Sequence, residues 1–510
     1  MNTSSSSRTN ILLITSDQQH WQMLGAHTPG LKTPNLDRLA ARGTRFDRAY
    51  CPNPTCTPTR ASLITGLHAS QHGAYTLGTR LPEDVPTIGD SLQGAGYDCS
   101  LVGKAHFQPL RATEEFASLE SYPIMQDLDF WRGFHGPFYG FNHVELARNH
   151  ADEAHVGQHY AIWMEENGAP EWREWFQPPT GKTPAQKHVW NIPERFHYNT
   201  WITERSCARL EKAAQAGRQE RPFFLWASYF DPHPPYLVPE PWASLYDPAE
   251  IELPPQGLDQ TDRWPEFLKR TRRAGATFGE WHEAGGNGIH GEGFHEIDPE
   301  ALRKDIAIYY GMMSMLDHSI GKLLDRLESL GLAENTLVVF TSDHGHYFGQ
   351  HGLTAKGPFL FEDGIRVPML VRWPGRVPAG RVSGALQSLV DIAPTFLAAA
   401  GLPAPLHMAG KSQLPVWAGD DRAARQRVAV EFRHQPTRLN LRSYIDARYK
   451  LTLWNNPVEG EIYDLREDPG EHCNLWTSPA HQTLKTELLA QALLAEMEKE
   501  PQRMPRVSGA

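Results

Sequence analysis

Cys56 opens the run Cys56-Thr57-Pro58-Thr59-Arg60-Ala61-Ser62-Leu63-Ile64-Thr65-Gly66, whose residue types suit chemistry on an anion. Pro58 fixes φ and stops the chain, residues 61–64 can wind a helix, and Gly66 can end it. Cys56 and Arg60 then sit near a helix N-terminus, where free N–H groups and the helix dipole favour negative charge. The plainer alternative is a buried structural thiol beside a surface arginine. A second constellation can be assembled from strand ends. Asp17 follows the apolar stretch 11–15, and Asp343-His344-Gly345 follows the apolar stretch 336–340. Two carboxylates and one imidazole make an oxygen-rich ligand set, better suited to Ca²⁺, Mg²⁺ or Mn²⁺ than to structural zinc. A lone Asp at a strand end is more often a helix cap. Asp-His-Gly closing an apolar strand is the more specific signal.

Positioning such residues takes alternating strands and helices, and the chain supplies them. Thr33-Pro34 caps a helix that turns Leu36 and Leu39 inward, and residues 87–95 form a second short helix. Residues 99–102 read as a strand running into Gly103-Lys104-Ala105-His106, and 223–229 as one running into Asp231-Pro232-His233-Pro234-Pro235. Ile306, Tyr310, Met313, Ile320, Leu323 and Leu327 recur at helical spacing before the strand at 336–340. The pattern predicts an α/β fold, a doubly wound, mostly parallel sheet flanked by helices, with reactive residues gathered where strands end. Alternation fades over about 110–205, rich in Trp and His, and over about 255–300, which carries Gly285-Gly286-Asn287-Gly288. These insertions would form pocket walls or the contacts of a homo-oligomer. From residue 416 onward, strands near 427–431, 442–446 and 450–454 and a helix over 483–499 predict a small C-terminal antiparallel sheet plus helix. The expected domains are thus 1–415 and 416–510.

Composition narrows the class. At 510 residues the chain exceeds one compact core. Its net charge of −11 argues against a nucleic-acid surface. No apolar run approaches the ~18 residues of a membrane span. The polar start MNTSSSSRTN and the short apolar stretch after it do not read as a signal sequence. Five cysteines at irregular spacing give neither a zinc pattern nor a disulfide framework. The expectation is a cytoplasmic enzyme with a small-molecule substrate.

The run from Cys56 resembles the signature of the type I sulfatases of the alkaline phosphatase superfamily. The resemblance continues in the family's order through residues 10–17 and 32–50, then Gly103-Lys104-Ala105-His106, His233-Pro234-Pro235, Asp343-His344-Gly345 and Lys356. It extends to Leu389-Val390-Asp391-Ile392-Ala393-Pro394-Thr395 and, near the end, Ile462-Tyr463-Asp464-Leu465 with Asp468-Pro469. It implies hydrolysis of sulfate monoesters. A formylglycine-generating enzyme would convert Cys56 to an aldehyde whose hydrate is the nucleophile, and one divalent metal, calcium or manganese, would assist. By the same resemblance Asp17, Asp343, His344 and the modified Cys56 hold the metal. Arg60, Lys104 and Lys356 grip sulfate oxygens, His233 protonates the leaving oxygen, and His106 takes up a proton.

One position departs from the commonest family pattern, since Gln18 stands where many sulfatases carry a second Asp. Its neutral carbonyl oxygen makes it a weaker ligand or a neighbour of the ligands. Asp-Gln with Asp-His-Gly resembles the branch that also holds phosphonate and phosphodiester hydrolases. Lys104 and His106 tilt the expectation back toward sulfate. Two further rivals are a two-zinc phosphatase built on His344, His346 and His351, and a binding protein that has lost catalysis.

Overall fold

The computed structural model describes residues 8–148, 156–176, 188–215, 221–256, 258–273, 298–433, 439–455, 458–500 and 504. Its centre is an eight-stranded sheet: β1 (Asn10–Ser16), β2 (Thr44–Phe46), β3 (Asp98–Gly103), β4 (His143–Leu146), β5 (Phe223–Ser228), β6 (Thr336–Ser342), β7 (Met369–Arg372) and β8 (Arg381–Ser383), in the spatial order β8-β2-β7-β6-β1-β5-β3-β4. The five strands from β6 to β4 are parallel, and β7 runs antiparallel to both of its neighbours. Successive residues of the apolar strands alternate between two cores. Ile11, Leu13, Trp226, Leu337 and Val339 pack on one face, and Leu12, Ile14, Leu225, Val338 and Phe340 on the other. A sheet buried on both sides explains why these strands read as continuous apolar runs.

Register decides where the chemistry gathers. Thr15 pairs with Ser228, Gly103 with Ser228, and Ser16 with Ser342. The carboxyl ends of β1, β3, β5 and β6 therefore fall in one row, the usual ligand edge of a doubly wound sheet. Gly103 makes the tight junction feasible. Its φ is +107°, and a Cβ there would stand 2.0 Å from the Ser228 carbonyl oxygen.

Three helices frame this edge: α1 (Cys56–Thr65), α2 (Tyr198–Gln215) and the long α3 (Pro299–Ser329). The first begins earlier than the sequence predicts. Pro58 lies inside its first turn, where the missing N–H has no intrahelical partner to lose. Gly66 ends it at φ 65°, as expected. The stretch 110–205 is woven into the main fold. It contributes β4 to the main sheet, and Trp131, Trp163, Trp172 and Trp190 are buried core residues. His150 and Gly285-Gly286-Asn287-Gly288 lie outside the described residues.

The C-terminal part is a four-stranded antiparallel sheet, β9 (Val428–Arg433), β10 (Asn440–Ile445), β11 (Tyr449–Leu453) and β12 (Gly460–Asp464), followed by α4 (Gln482–Met497). Val428, Val430, Phe432 and Leu441 join one of the two main cores. All five cysteines are free thiols. No helix among the described residues is long and apolar enough to cross a membrane.

Candidate active site

Cys56 is the first residue of α1, and every residue of that helix is buried. Its thiol lies 3.2 Å from His344 Nε2, 3.6 Å from Asp17 Oδ1, 3.0 Å from Lys356 Nζ and 3.8 Å from Lys104 Nζ. Asp17 and Asp343 follow the paired ends of β1 and β6, so register alone brings the two carboxylates together. The ligand atoms of Asp17, Cys56, Asp343 and His344 all lie within 4.8 Å of one another, and all four residues are buried.

This donor set fits a hard divalent cation. His344 Nδ1 stands 3.0 Å from the Gly345 carbonyl, so it carries the hydrogen and leaves the Nε2 lone pair on the carboxylate side. Gln18 Oε1 is a buried carbonyl oxygen with no hydrogen-bond partner. Gln18 borders the cluster, since its N–H donates to Asp343 Oδ1 at 3.0 Å. Two carboxylates, one imidazole and an amide oxygen are the ligands of Ca²⁺, Mg²⁺ or Mn²⁺ sites.

Basic groups enclose the same point. Arg60 Nε donates to Asp343 Oδ2 at 2.8 Å, and Nη1 donates to the Lys104 carbonyl and to Ser228 Oγ. Lys104 bonds Asp17 Oδ2, and Lys356 Nζ is 3.0 Å from His233 Nε2. Burial works to raise the Asp17 carboxyl, but Lys104 and Arg60 overcome it and hold Asp17 well below the usual carboxylate range. Burial and the charge of Asp17 push the Cys56 thiol up. The unmodified thiol is therefore a poor nucleophile here.

The histidines are neutral. Burial and Lys356 hold His233 well below its ordinary value, burial and Lys104 do the same to His106, and burial takes His344 down to about 4. His233 Nδ1 donates to the Pro234 carbonyl at 2.5 Å, which leaves Nε2 as the acceptor facing Lys356. Neither ring nitrogen of His106 has a hydrogen-bond partner, although the ring is buried.

Cys56, Asp17, Arg60, Lys104, His233, Asp343, His344 and Lys356 thus form one connected cluster with Gln18 at its border, and His106 is buried within electrostatic reach of Lys104 and Asp17. His346 and His351 do not join the metal cluster. His346 bonds Gln18 and Tyr236, and His351 stacks on Phe361 with ring centres 3.7 Å apart. Among the described residues the cluster around Cys56 is the one group of convergent metal ligands, which counts against a two-zinc phosphatase.

Sequence reasoning missed the supports. Ser228 donates to the Lys104 carbonyl at 2.7 Å while accepting from Arg60, which locks the ends of β3 and β5 to the guanidinium. Glu120 accepts the N–H groups of His106, Phe107 and Gln108 and so fixes the loop that carries His106. Asp231 accepts from Tyr198 Oη and Asn199 Nδ2 in the first turn of α2, and its own carbonyl accepts the Asp17 N–H. Burial pushes its carboxyl up to about 7. Ser228 and Asp231 flank an apolar strand and its His-Pro-Pro sequel, a usable signal. Nothing local marks Glu120.

A family model described as Sulfatase matches residues 9–402, and one described as the C-terminal part of N-sulphoglucosamine sulphohydrolase matches residues 349–500. The multifunctional alkaline phosphatase superfamily protein of Trinickia caryophylli is 29% identical, over 95% of this chain and 95% of its own length. The arylsulfatase of Clostridium perfringens (strain 13 / Type A) is 26% identical, over 96% of this chain and 94% of its own. Among solved structures, the phosphonate monoester hydrolase of Agrobacterium radiobacter superposes with a TM-score of 0.78 at 24% identity, covering 98% of this chain and 97% of that one. At that identity the likeness speaks for the fold.

Proposed function

The chain belongs to the sulfatase family, a family of sulfuric ester hydrolases, and from that premise we propose that it cleaves sulfate monoesters with Cys56 in its aldehyde form and one divalent cation. The observation that carries the reading is the convergence of Lys104, Lys356, Asp17, Asp343 and His344 on Cys56 Sγ, the atom that stands where the aldehyde's oxygens would be, with Arg60 bonded to Asp343 and His233 to Lys356 just behind them. A formylglycine-generating enzyme would be the maturation partner.

Asp17, Asp343 and His344, with the carbonyl oxygen of Gln18, are the residues that would hold the cation. When present, the cation and the hydrated aldehyde supply a Lewis acid and an oxygen nucleophile. The rest falls to the chain's own side chains. Arg60, Lys104 and Lys356 orient the sulfate oxygens and stabilise charge that builds on them, in a site closed to water where such contacts are strong. Lys356 sits between Cys56 and His233 and so serves both ends of the reaction. His233 is neutral in the free protein because burial and Lys356 disfavour its charge. An arriving sulfate offsets the lysine, so His233 can carry a proton on Nε2 and deliver it to the leaving oxygen. His106, neutral and with both ring nitrogens open, accepts the proton that must leave before sulfate departs.

Parallel kcat/KM measurements on an aryl sulfate and an aryl phosphonate monoester, with protein matured alongside a formylglycine-generating enzyme, test this reading. Sulfate should be preferred. A preference for the phosphonate would replace it with phosphonate or phosphodiester hydrolysis at the same site.

A further inference from the structure

Gln18 is held more firmly than a bystander would be. Its φ of 60° lies in the left-handed region that a non-glycine residue seldom adopts. Its N–H is tied to Asp343 Oδ1, and its carbonyl accepts the Tyr309 hydroxyl at 2.8 Å. The side chain is fixed as well. Nε2 lies 2.9 Å from His346 Nδ1, and His346 Nε2 lies 2.9 Å from the Tyr236 hydroxyl. The His346 ring is wedged between Tyr309 and Phe348, with ring centres 5.2 and 4.5 Å away. An amide nitrogen can only donate, so His346 Nδ1 accepts and its hydrogen sits on Nε2, directed at the Tyr236 oxygen. The chain of three groups leaves Gln18 Oε1 buried and unpaired. A buried carbonyl is rarely left so without a partner to come.

We propose that His346 and Tyr236 are positioning residues that turn the Gln18 amide so that its oxygen, and not its NH₂, faces the cation held by Asp17, Asp343 and His344. The inference rests on the reading that this cluster binds a divalent cation. Its chemical consequence is specific. An amide has one coordinating end, so a neutral ligand works only when something fixes which end points inward. A neutral oxygen also leaves more of the cation's charge for the anionic substrate than a carboxylate would.

Calorimetric titration of Mn²⁺ into chelator-stripped protein, with the form of Cys56 held constant by mass, tests this without recourse to turnover. Wild type should bind one equivalent. Gln18→Ala and His346→Phe should each weaken binding about tenfold or more, and Tyr236→Phe by a smaller factor, as expected when partners of a metal ligand are removed. Melting temperatures of the metal-free variants identify any that misfold. The deciding variant is Gln18→Glu, whose two oxygens are equivalent and need no orienting. In that background His346→Phe should cost nothing. Undiminished affinity in His346→Phe alone, or an equal loss in the Gln18→Glu background, would overturn the proposal. Failure of wild type to bind Mn²⁺ would instead remove the metal reading beneath it.

Discussion

The charges around Cys56 are buried, whereas around Glu431 only Glu431 and Lys499 are buried and Arg442 and Glu496 reach the surface, and the two groups are balanced differently. In the C-terminal sheet, Glu431 accepts from Ser70 N and Oγ at 2.8 Å and from Lys499 Nζ at 2.6 Å, using both oxygens. Glu496 and Arg442 complete that group, so two carboxylates face two cations. Around Cys56, Arg60, Lys104 and Lys356 outnumber Asp17 and Asp343, while His106 and Gln18 each keep buried polar atoms without hydrogen-bond partners. A closed, charge-balanced group ties elements together, here the region after α1 to the end of α4. An open one holds interactions in reserve for an anion not yet bound. The excess of buried cations over carboxylates around Cys56 is thus what separates the site from the strut.

The contrast breaks most sharply at Cys56. Cys56→Ala should abolish turnover, a loss of at least about 10⁴-fold, while the melting temperature stays near that of wild type. Mass spectrometry of active wild type should show the Cys56 peptide lighter by about 18 Da, from replacement of CH₂SH by an aldehyde. Full activity from a wholly thiol preparation would defeat the aldehyde reading.

The opposite pattern is expected at Glu431. Glu431→Gln leaves Lys499 buried with a weakened partner and should cost about 3–5 kcal/mol of stability, with kcat little changed in the protein that remains folded. The pH dependence has a definite sign. Burial works to raise Glu431, and Lys499 overcomes it, so the folded-state value lies below the usual glutamate range. Its contribution is complete above about pH 4.5 and is lost as pH falls below that. From pH 7 to pH 4 the denaturant midpoint should fall further for wild type than for Glu431→Gln, so that the two proteins approach each other. A variant that keeps wild-type stability but loses turnover would erase the distinction between the two clusters.

Lys356 provides a slightly smaller test. It touches Cys56, His233 and His344 but bonds no carboxylate. Removing it relieves a surplus of positive charge. Lys356→Ala should lower kcat/KM by about 10²–10³-fold without a drop in melting temperature. A destabilised Lys356→Ala with near-normal kinetics would make it a strut like Lys499.

How much of this was legible in the sequence follows from how local each feature is. The strand ends were legible because apolar runs stop abruptly at Asp17, Lys104, Asp231 and Asp343, and a parallel sheet aligns such ends. The Cys56 helix was legible because six residues at fixed spacing specify it. Its start is not legible, since Pro58 signals a break unless it falls in a first turn, as it does here. The aromatic residues of 110–205 have no single period and so suggest wall or interface, yet most of them are buried in the core. Glu120 and Tyr236 act through loop crossing, which leaves no trace at fixed offsets. Glu431 had no local pattern at all, being one glutamate on a strand.

The smallest expected effect concerns which anion the open cluster prefers. A sulfate monoester presents three equivalent oxygens and one negative charge, and Arg60, Lys104, Lys356 and a cation can meet all of them. A phosphonate monoester carries the same charge but replaces one oxygen with a bulkier group. Lys104 is already committed to Asp17, and His106 lies two residues on in a loop clamped by Glu120, so neither moves aside cheaply. Crowding by these two residues should favour the aryl sulfate in kcat/KM by at least about tenfold, roughly 1.4 kcal/mol of transition-state discrimination. Lys104→Ala should lower sulfate turnover more than phosphonate turnover and so narrow the ratio. If the ratio stays fixed in Lys104→Ala while both rates fall, Lys104 serves only to hold Asp17. It would then belong with the closed charges, and the site's preference would have to arise elsewhere.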